Sequence, residues 1–359
     1  MFDRIYICHT IYHVYIACLK EMNRGTLGGA TLVLSKMSSD FKDLKSRAEK
    51  SPIFDEVYEF DEKDYSFFPE LIRLKRDSNN IIVNMIKRIR FCKKYGKLQE
   101  RYIPVDMHKY KDIYVFCDSD PIGYYLSYKK IYYHALEDGL DAIKGYDTAR
   151  YDNRGFFKLK AWLASKGIIF IQNGYGKYCI DMEVNNISIL PYLCKKYVEV
   201  PRKGLTESLT SAQKQMLMEF FLNDSDSLKK IFDGKINQHG KKRVMILSEP
   251  LCDFETRKQI FKDIIDKYGK IDGEEALIVI KQHPRDLLDY RVLFPAAVIL
   301  DGSFPMELLS FMDNLHFDRI VSVFTVLDSF NFTEEKVILG EDFMDMYEDP
   351  KIHRQNEAI

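Results

Sequence analysis

The chain has 359 residues, of which 46% are hydrophobic and 30% are charged, and its formal net charge is −1. This length is typical of about two folded domains, and the balanced charge does not indicate a nucleic-acid-binding protein. Seven scattered cysteines without a C-x-x-C pair indicate neither a disulfide framework nor a zinc site, and no run approaches the ~18 apolar residues of a membrane helix. We therefore expect a cytoplasmic protein that at most rests on the inner face of a membrane.

Short apolar runs alternate with longer amphipathic stretches along most of the chain, which is typical of βαβ units and parallel sheets. In the first half, strands are predicted at residues 5–10, 30–35, 56–60, 113–117, 132–136 and 168–172. Residues 201–243 contain no predicted strand and are rich in polar residues, so we interpret them as a helical connector. The second half repeats the pattern, with strands predicted at residues 244–248, 276–280, 296–300, 319–324 and 336–340.

This alternation predicts an α/β protein with two Rossmann-like domains that face each other across a cleft. We place the first domain and its helical connector at residues 1–235, a nucleotide-sugar-binding domain at 236–345, and a tail at 346–359. Ligands of open α/β sheets bind beyond the carboxyl ends of the strands. The residues that follow the predicted strands are therefore the first candidates for a site.

Between Arg73 and Arg101 the chain departs from its neutral average, with ten Lys or Arg against two acids. Apolar residues from Ile82 to Ile89 recur in this region at the spacing of one helix face. One interpretation is a helix that packs on the core and exposes a solvated basic face. The other is peripheral contact of residues 73–101 with anionic lipid or with an anionic acceptor.

Polar residues follow the predicted strands of the second half, at the point where each strand ends. Glu249 follows the first of these strands, and Thr325 follows the fourth. After the second strand, the sequence KQHPRD places His283, Pro284 and Arg285 at the strand end. Because the carboxyl ends of parallel strands meet at one edge of a sheet, we expect these side chains to line one site.

The third of these strands is followed by the segment GSFPMELL, which has the composition of a helix start. Ser303 could cap the helix, Pro305 suits its first turn, and Glu307 could reach ribose hydroxyls. Unpaired N–H groups at a helix start attract phosphate, and beside His283 and Thr325 they favour a nucleotide site. Plain capping of a helix is the alternative interpretation.

The first half offers a candidate general base where the predicted strand at 132–136 runs into Glu137, Asp138 and Gly139. Glycine permits a tight turn that leaves the carboxylates exposed. Such a carboxylate could take the proton of an acceptor hydroxyl. The alternative is a surface turn, since Asp-Gly is common in turns.

Other polar residues of the first half are interpreted as lining a cleft rather than as metal ligands. Thr10 and His13 are expected to face the acceptor, because the i, i+4 pair of His9 and His13 lacks the glutamate of an H-E-x-x-H motif. Asp118 and Asp120 have the Asp-x-Asp pattern that can hold a divalent metal on a nucleotide diphosphate sugar. Asp120 equally suits the N-cap of the helix that follows.

Five segments, in this order along the chain, resemble motifs of the bacterial sialyltransferases of glycosyltransferase family 52, the lipooligosaccharide and capsule type. They are ICHTIYHVYIA near the amino terminus, LEDG at 136–139, KQHPRD at 281–286, SFPMELL at 303–309 and SVFTVLDS at 322–329. The resemblance implies a two-domain GT-B fold and a CMP-sialic acid donor bound by the second domain. It also implies transfer of sialic acid, with inversion, to a galactose-type hydroxyl of a surface glycan.

The resemblance implies roles for single residues at the donor. His283 would contact the CMP phosphate and assist its departure as an acid or an electrostatic stabiliser, and Pro284 would fix the turn that aims it. Glu307 would hold the cytidine ribose, and two hydroxyl side chains would bind phosphate. The remaining implied donor-binding residues are Arg285, Ser303, Phe304, Pro305, Met306, Ser322 and Thr325.

Asp138 or Glu137 matches the motif that supplies the base in related sialyltransferases, and Glu249 lies near the place of another carboxylate assigned as base in family 52. CMP carries one phosphate, which a histidine and helix termini can stabilise without metal, so no metal cofactor is expected. The acceptor would be a glycan, which could be lipid-linked, and a homodimer is an open option. Two alternatives remain: a glycosyltransferase that uses a nucleotide diphosphate sugar, such as a glucosyltransferase, and a non-catalytic nucleotide-binding scaffold.

Overall fold

A computed structural model of the chain describes residues 2–37, 41, 43–116, 118, 121–138, 156–190, 193–222, 241–312, 315–327 and 330–350. The chain divides into two compact units, Met1–Leu209 and Thr210–Ile359. Each unit contains its own parallel β-sheet. The predicted domain boundary at residues 235 and 236 falls outside the described ranges, so that boundary stays a prediction.

The described part of the first unit contains seven strands: β1 (Phe2–Cys8), β2 (Ala30–Ser35), β3 (Glu56–Phe60), β4 (Tyr110–Phe116), β5 (Tyr133–Leu136), β6 (Cys179–Val184) and β7 (Tyr197–Glu199). They form one sheet in the order β3-β2-β1-β4-β5-β6-β7, and every neighbouring pair is parallel. All six residues of β2 are buried, as expected for a parallel sheet that is covered on both faces.

The described helices of the first unit are α1 (Ile11–Met22), α2 (Leu44–Lys50), α3 (Pro69–Lys75), α4 (Ile81–Gln99), α5 (Pro121–Lys129), α6 (Phe157–Ser165) and α7 (Arg202–Glu207). Helix α1 begins after Thr10, whose side chain accepts a hydrogen bond from the His13 N–H. Helix α4 packs on α5 at Gly96, where a Cβ atom would stand 2.4 Å from the Tyr124 carbonyl oxygen. Only glycine permits this close approach of the two helices.

The second unit contains, within the described residues, α8 (Ser211–Phe221), β8 (Arg243–Leu247), α9 (Phe254–Tyr268), the antiparallel pair β9 (Lys270–Ile271) and β10 (Glu274–Glu275), β11 (Leu277–Lys281), α10 (Tyr290–Leu293), β12 (Val298–Leu300), β13 (Phe317–Ser322), β14 (Thr333–Ile338) and α11 (Gly340–Met344). Its main sheet is parallel, in the order β12-β11-β8-β13-β14. Helix α9 buries Ile260, Phe261 and Ile264 in one cluster with Val244 and Ile246 of β8.

Ten of the eleven predicted strands are present in the described residues, and the strand predicted at 168–172 is wrong. Residues 169–171 are instead buried in a loop. The Phe170 N–H bonds to Cys92 Sγ rather than to a neighbouring strand, and Asn173 has a φ of 59°. The charged residues in β6 and β7 interrupt the apolar runs on which the strand predictions rest, so these strands were not predicted.

The helix start predicted in GSFPMELL is a 3₁₀ helix, Met306–Phe311, and Ser303 does not cap it. Pro305 occupies the N-cap position, and no side chain caps this helix. The Ser303 N–H instead donates to Asp301 Oδ1 at 2.7 Å, because a short acidic side chain can bond to the backbone two residues on. Among the described residues, no helix is both long enough and apolar enough to cross a bilayer.

Candidate active site

The first sheet has its topological switch point between β1 and β4, where ligands of open α/β sheets bind. His9 and Thr10 follow β1, and His13 lies in the first turn of α1. The His13 ring stacks on Phe116 at the end of β4, with 4.4 Å between the ring centroids. His13 therefore lies at the switch point of this sheet.

Both ring nitrogens of His13 are engaged by protein groups. Nδ1 accepts a hydrogen bond from the His9 N–H at 3.0 Å, so the neutral ring carries its proton on Nε2. Nε2 contacts the carboxylate of Asp138, which lies beyond the end of β5. His13 is fully buried, and burial lowers its pKa although the nearby Asp138 acts to raise it. At neutral pH, His13 is thus an uncharged N–H donor that holds Asp138.

The two carboxylates of the LEDG motif have different environments. Glu137 is buried, its side chain accepts the Asn185 N–H at 2.6 Å, and burial raises its pKa. Asp138 has 34% of its side chain exposed. A general base must reach the proton that it abstracts. The geometry therefore favours Asp138 over Glu137 as the base.

A second histidine ties the neighbouring strand ends together. His9 Nε2 lies 2.5 Å from Glu62 Oε1, and the Ser35 hydroxyl donates to the same oxygen at 2.5 Å. All three side chains are buried, and they lie at the ends of β1, β2 and β3. These bonds fix the His9 backbone, whose N–H sets the proton position on His13. Nε2 of His9 and both ring nitrogens of His13 are engaged by protein groups. This geometry does not favour His9 and His13 as a pair of metal ligands.

Asp118 of the Asp-x-Asp pattern is buried in the interior of the first unit. Its carboxylate accepts the Asn173 N–H at 2.7 Å and the Tyr133 hydroxyl at 2.8 Å. Burial raises the pKa of Asp118. Asp120 lies outside the described residues. Asp118 therefore holds the loop at Asn173, and its geometry does not favour a metal site on a nucleotide diphosphate.

Arg202 lies at the start of α7, and no sequence motif singled it out. Its side chain is 12% exposed and lies 4.0 Å from Glu183, which also pairs with Lys20 at 2.6 Å. Within the part of the chain that the structure describes, Nη1 and Nη2 of Arg202 make no hydrogen bond. Its charge acts to lower the pKa of both Glu137 and His13. Arg202 thus adds positive charge to the edge that carries Asp138.

In the second unit, direct contacts link the loops that follow four neighbouring strands. After β12, a Cβ atom on Gly302 would stand 2.9 Å from the backbone of His283 and Pro284. The His283 N–H donates to Ser248 Oγ, after β8, at 3.0 Å. Glu249 accepts hydrogen bonds from the loop after β13. The structure therefore brings together the four strand ends that the sequence predicted to meet.

Glu249 is buried, and the loop after β13 occupies its carboxylate. The carboxylate accepts the N–H groups of Val323, Phe324 and Thr325 at 3.0 to 3.2 Å. It also accepts the Thr325 hydroxyl at 2.9 Å, and the Ser322 hydroxyl donates to the Thr325 carbonyl at 2.7 Å. This geometry favours a structural role for Glu249, because a base needs an oxygen that is open to substrate.

His283 is half-buried beyond the end of β11, and its own loop orients the ring. Nδ1 accepts the Arg285 N–H at 3.1 Å, so the neutral ring carries its proton on Nε2. No described residue forms a hydrogen bond with Nε2. Burial lowers the pKa of His283 to about 4, and the Arg285 charge acts in the same direction. At neutral pH, His283 thus offers one N–H donor. Pro284 and Arg285 are exposed.

Asp286 anchors the KQHPRD loop to the core of the second unit. Its buried carboxylate accepts the hydroxyls of Ser248 and Tyr290 at 2.7 Å each. It also pairs with Arg257 at 2.8 Å. Ser248 in turn accepts the His283 N–H. A buried, fully bonded group of this kind fixes the backbone from which the imidazole projects.

Lys281, at the end of β11, is buried, and sequence patterns did not single it out because lysine is rarely buried. Its ammonium donates to the Asp301 carbonyl at 2.6 Å and lies 4.2 Å from the centroid of the Phe304 ring. Burial lowers the pKa of Lys281 to about 7, and burial raises the pKa of Glu307. The two groups interact electrostatically, so the end of β11 at Lys281 lies near the segment that carries Ser303, Pro305, Met306 and Glu307.

Comparison with known proteins gives both a family and a fold. An uncharacterized protein of Haemophilus influenzae is 35% identical over 92 residues. The match covers 25% of this chain and 28% of the length of that relative. The fold is similar to that of a Photobacterium sp. JT-ISH-224 2,6-sialyltransferase solved with the donor product CMP and the acceptor lactose. That comparison has a TM-score of 0.54 and 9% identity, and it covers 94% of this chain and 71% of the solved one.

The predicted α/β fold with two Rossmann-like units is confirmed by the two parallel sheets. The sequence model described as glycosyltransferase family 52 matches residues 37–339, which is most of the chain. That match includes the candidate base and every candidate donor-binding residue. The chain therefore belongs to glycosyltransferase family 52.

Proposed function

We propose that this protein is an inverting, metal-independent sialyltransferase that moves sialic acid from CMP-sialic acid to a galactose-type hydroxyl. Family membership supports glycosyl transfer. The similar solved 2,6-sialyltransferase, with CMP and lactose bound, supports the donor and acceptor classes. The observation that carries the proposal is the partly exposed Asp138 carboxylate, which the neutral His13 ring holds at the edge of the first sheet.

Asp138 is assigned as the general base. Transfer forms a bond from the acceptor oxygen to the anomeric carbon of sialic acid and breaks the bond from that carbon to the phosphate oxygen of CMP. The acceptor hydroxyl loses its proton as the new bond forms, and Asp138 takes that proton. His13 keeps its own proton and orients the carboxylate. Displacement on the face opposite the phosphate inverts the anomeric carbon.

His283 is assigned to the leaving phosphate. Its Nε2–H is available in a half-buried position, where a hydrogen bond to an anion is stronger than in water. An approaching phosphate favours the charged ring and so raises the pKa of His283. The resulting imidazolium stabilises the charge that CMP gains as it departs. Glu249 holds the loop at Thr325, and Lys281 and Glu307 are assigned to the nucleoside.

The nucleotide diphosphate sugar alternative has weaker support. Its metal-dependent form would place a divalent metal on Asp118 and Asp120, but the Asp118 carboxylate is already bonded to Asn173 and Tyr133. The non-catalytic scaffold would not account for a partly exposed Asp138 carboxylate that contacts His13, or for the oriented ring of His283. We further propose a cytoplasmic protein whose acceptor is a lipid-linked glycan, such as a lipooligosaccharide or capsule precursor.

Donor turnover by the purified full chain tests these alternatives. CMP-sialic acid and lactose, or a UDP-sugar and lactose, are supplied with and without EDTA. We expect transfer from CMP-sialic acid that persists in EDTA. Transfer from the UDP-sugar alone, lost in EDTA, would support the metal-dependent alternative. Binding of CMP without any transfer would support the scaffold.

A further inference from the structure

We propose that the first unit docks on an anionic lipid bilayer through the exposed sides of α4 and α6. Four large apolar side chains define this docking face, and their exposed fractions are 68% for Ile82, 45% for Ile86, 49% for Leu159 and 54% for Trp162. Ile82 and Ile86 are neighbours one turn apart on α4, and Leu159 and Trp162 are neighbours one turn apart on α6. Isolated exposed apolar residues are common on proteins, but neighbouring ones indicate a binding surface. This inference does not depend on the proposed sialyltransferase activity.

The two helices that carry the docking face pack on the same core. One apolar cluster takes Met85 and Ile89 from α4 and Phe157 and Leu163 from α6. In each helix the residues of the docking face lie one turn apart, on a side that this cluster leaves exposed. Each helix therefore has one apolar side that is buried and a second that is open to solvent. The sequence alternative of a helix with a purely solvated basic face does not account for the second apolar side.

The charges around the docking face are complementary to anionic headgroups. Residues 78–99 contain six Lys or Arg and no Asp or Glu, and residues 156–180 contain four Lys and no acid. The whole chain has a net charge of −1, so positive charge is concentrated in these two segments. Arg90, Lys93, Lys158 and Lys166 are among the exposed cations. A bilayer with anionic lipids attracts such segments at close range.

The residue types also fit a bilayer better than a protein partner. Tryptophan is enriched at the boundary between headgroups and acyl chains, and branched apolar side chains beside cations are typical of helices that lie in that boundary. A protein partner would have to supply acids opposite every cation of the face. A bilayer supplies mobile negative headgroups and an apolar layer at once.

The only tryptophan of the chain, Trp162, lies in the docking face, so its fluorescence reports on this face directly. Purified full chain is mixed with vesicles of phosphatidylcholine containing phosphatidylglycerol, or with vesicles of phosphatidylcholine alone. With the anionic vesicles, we expect the Trp162 emission to shift to shorter wavelength. Brominated lipid in those vesicles should quench this emission. High salt should weaken the binding.

Variants separate the apolar part of the face from the charged part. Ile82→Asp with Ile86→Asp should weaken vesicle binding at least tenfold, because two side chains no longer enter the apolar layer. Arg90→Glu with Lys93→Glu should weaken it by about fivefold for each cation removed. Val292→Asp is the matched control, because this residue is 75% exposed on the second unit; its binding should equal that of the wild type.

Three results would overturn the proposal. The first is an unchanged Trp162 emission in the presence of anionic vesicles, which would leave the face to a protein partner. The second is vesicle binding that the paired Ile variant does not weaken, although its thermal unfolding midpoint equals that of the wild type. The third is equal binding to vesicles with and without phosphatidylglycerol, which would remove the role of charge.

Discussion

Each of the two sheet edges carries a histidine and a carboxylate, but the group whose polar atoms are not fully occupied differs between the two edges. In the first unit, His13 is buried with both ring nitrogens bonded, and Asp138 is partly exposed. In the second unit, Glu249 is buried and accepts four N–H or O–H donors, and His283 is half-buried with one ring nitrogen bonded. The two residue types have therefore exchanged their environments.

This difference shows that burial and hydrogen bonding decide which residue of such a pair can act on a substrate. A base must expose a carboxylate oxygen to the acceptor. Asp138 is partly exposed, whereas the Glu249 carboxylate is buried and accepts the loop after β13. A residue that binds phosphate must offer a hydrogen-bond donor, and His283 offers its Nε2–H. The Nε2–H donor of His13 is already engaged by the Asp138 carboxylate. The experiments below test whether the two edges differ in this way.

The largest effect is expected for Asp138→Asn, which removes the base but keeps the size of the side chain. Transfer should fall by about 10² to 10⁴-fold, the usual contribution of a general base. CMP affinity and the thermal unfolding midpoint should stay near the wild-type values, because the side chain is partly exposed and belongs to the first unit. Steady-state transfer and calorimetric CMP binding measure these quantities.

Glu249→Gln is the matched variant on the second edge. We expect it to lower the thermal unfolding midpoint and to weaken CMP binding, because an amide holds the N–H groups of Val323 to Thr325 less strongly than a carboxylate does. Its loss in kcat should be smaller than that of Asp138→Asn. If Glu249→Gln instead abolishes transfer while it folds and binds CMP normally, Glu249 is the base and the comparison of the two edges is wrong.

The next effect in size is expected for His283→Ala, which should lower transfer by about 10²-fold through loss of a group that stabilises the leaving phosphate. The pKa of free His283 is about 4, below its ordinary value of 6.5. Bound CMP should raise this pKa, so CMP binding takes up a proton and the histidine's contribution to affinity grows as pH falls from 7 toward 5. Calorimetric CMP titrations from pH 5 to pH 8 measure this contribution.

CMP itself also ionises in this pH range. The ratio of the CMP affinity of the wild type to that of His283→Ala cancels this effect, because free CMP ionises in the same way in both titrations. The ratio of the two affinities should rise as the pH falls. A ratio that stays constant, together with near-normal transfer by His283→Ala, would exclude His283 from the chemistry.

Much of this architecture could be predicted from sequence because parallel strands that are buried on both faces leave continuous apolar runs. The ends of those runs identified the loops at Glu249, His283, Ser303 and Thr325, and the structure brings these loops together. Family membership was predicted from five motifs, three of which lie in these loops, and is confirmed. The run at 168–172 misled because an apolar loop buried under α4 has the same composition as a strand.

The exact partners of each side chain could not be predicted, because they depend on contacts between distant residues. From sequence, a carboxylate directly after a strand, such as Glu249, is a candidate base. Only the three-dimensional structure shows its hydrogen bonds to the loop 74 to 76 residues away. His13 reads as an acceptor-side residue, although its ring is bonded to Asp138, 125 residues further along the chain. Lysine is usually a surface residue, but Lys281 is buried.

The smallest of the expected effects concerns His13, whose proposed role is to orient the Asp138 carboxylate. His13→Gln should lower kcat by about tenfold with little change in KM for lactose, because an amide restores part of the hydrogen bond but not the ring stacked on Phe116. Loss of the full N–H donor makes the Asp138 carboxylate easier to protonate, so the acidic limb of the kcat/KM profile should move to higher pH. Thr10→Ala is the comparison variant, since it removes the oxygen that caps α1 at the His13 N–H, keeps the imidazole, and costs about 0.5 to 2 kcal/mol of stability. An acidic limb that moves equally in both variants, or in neither, would show that His13 serves only the packing of the first unit.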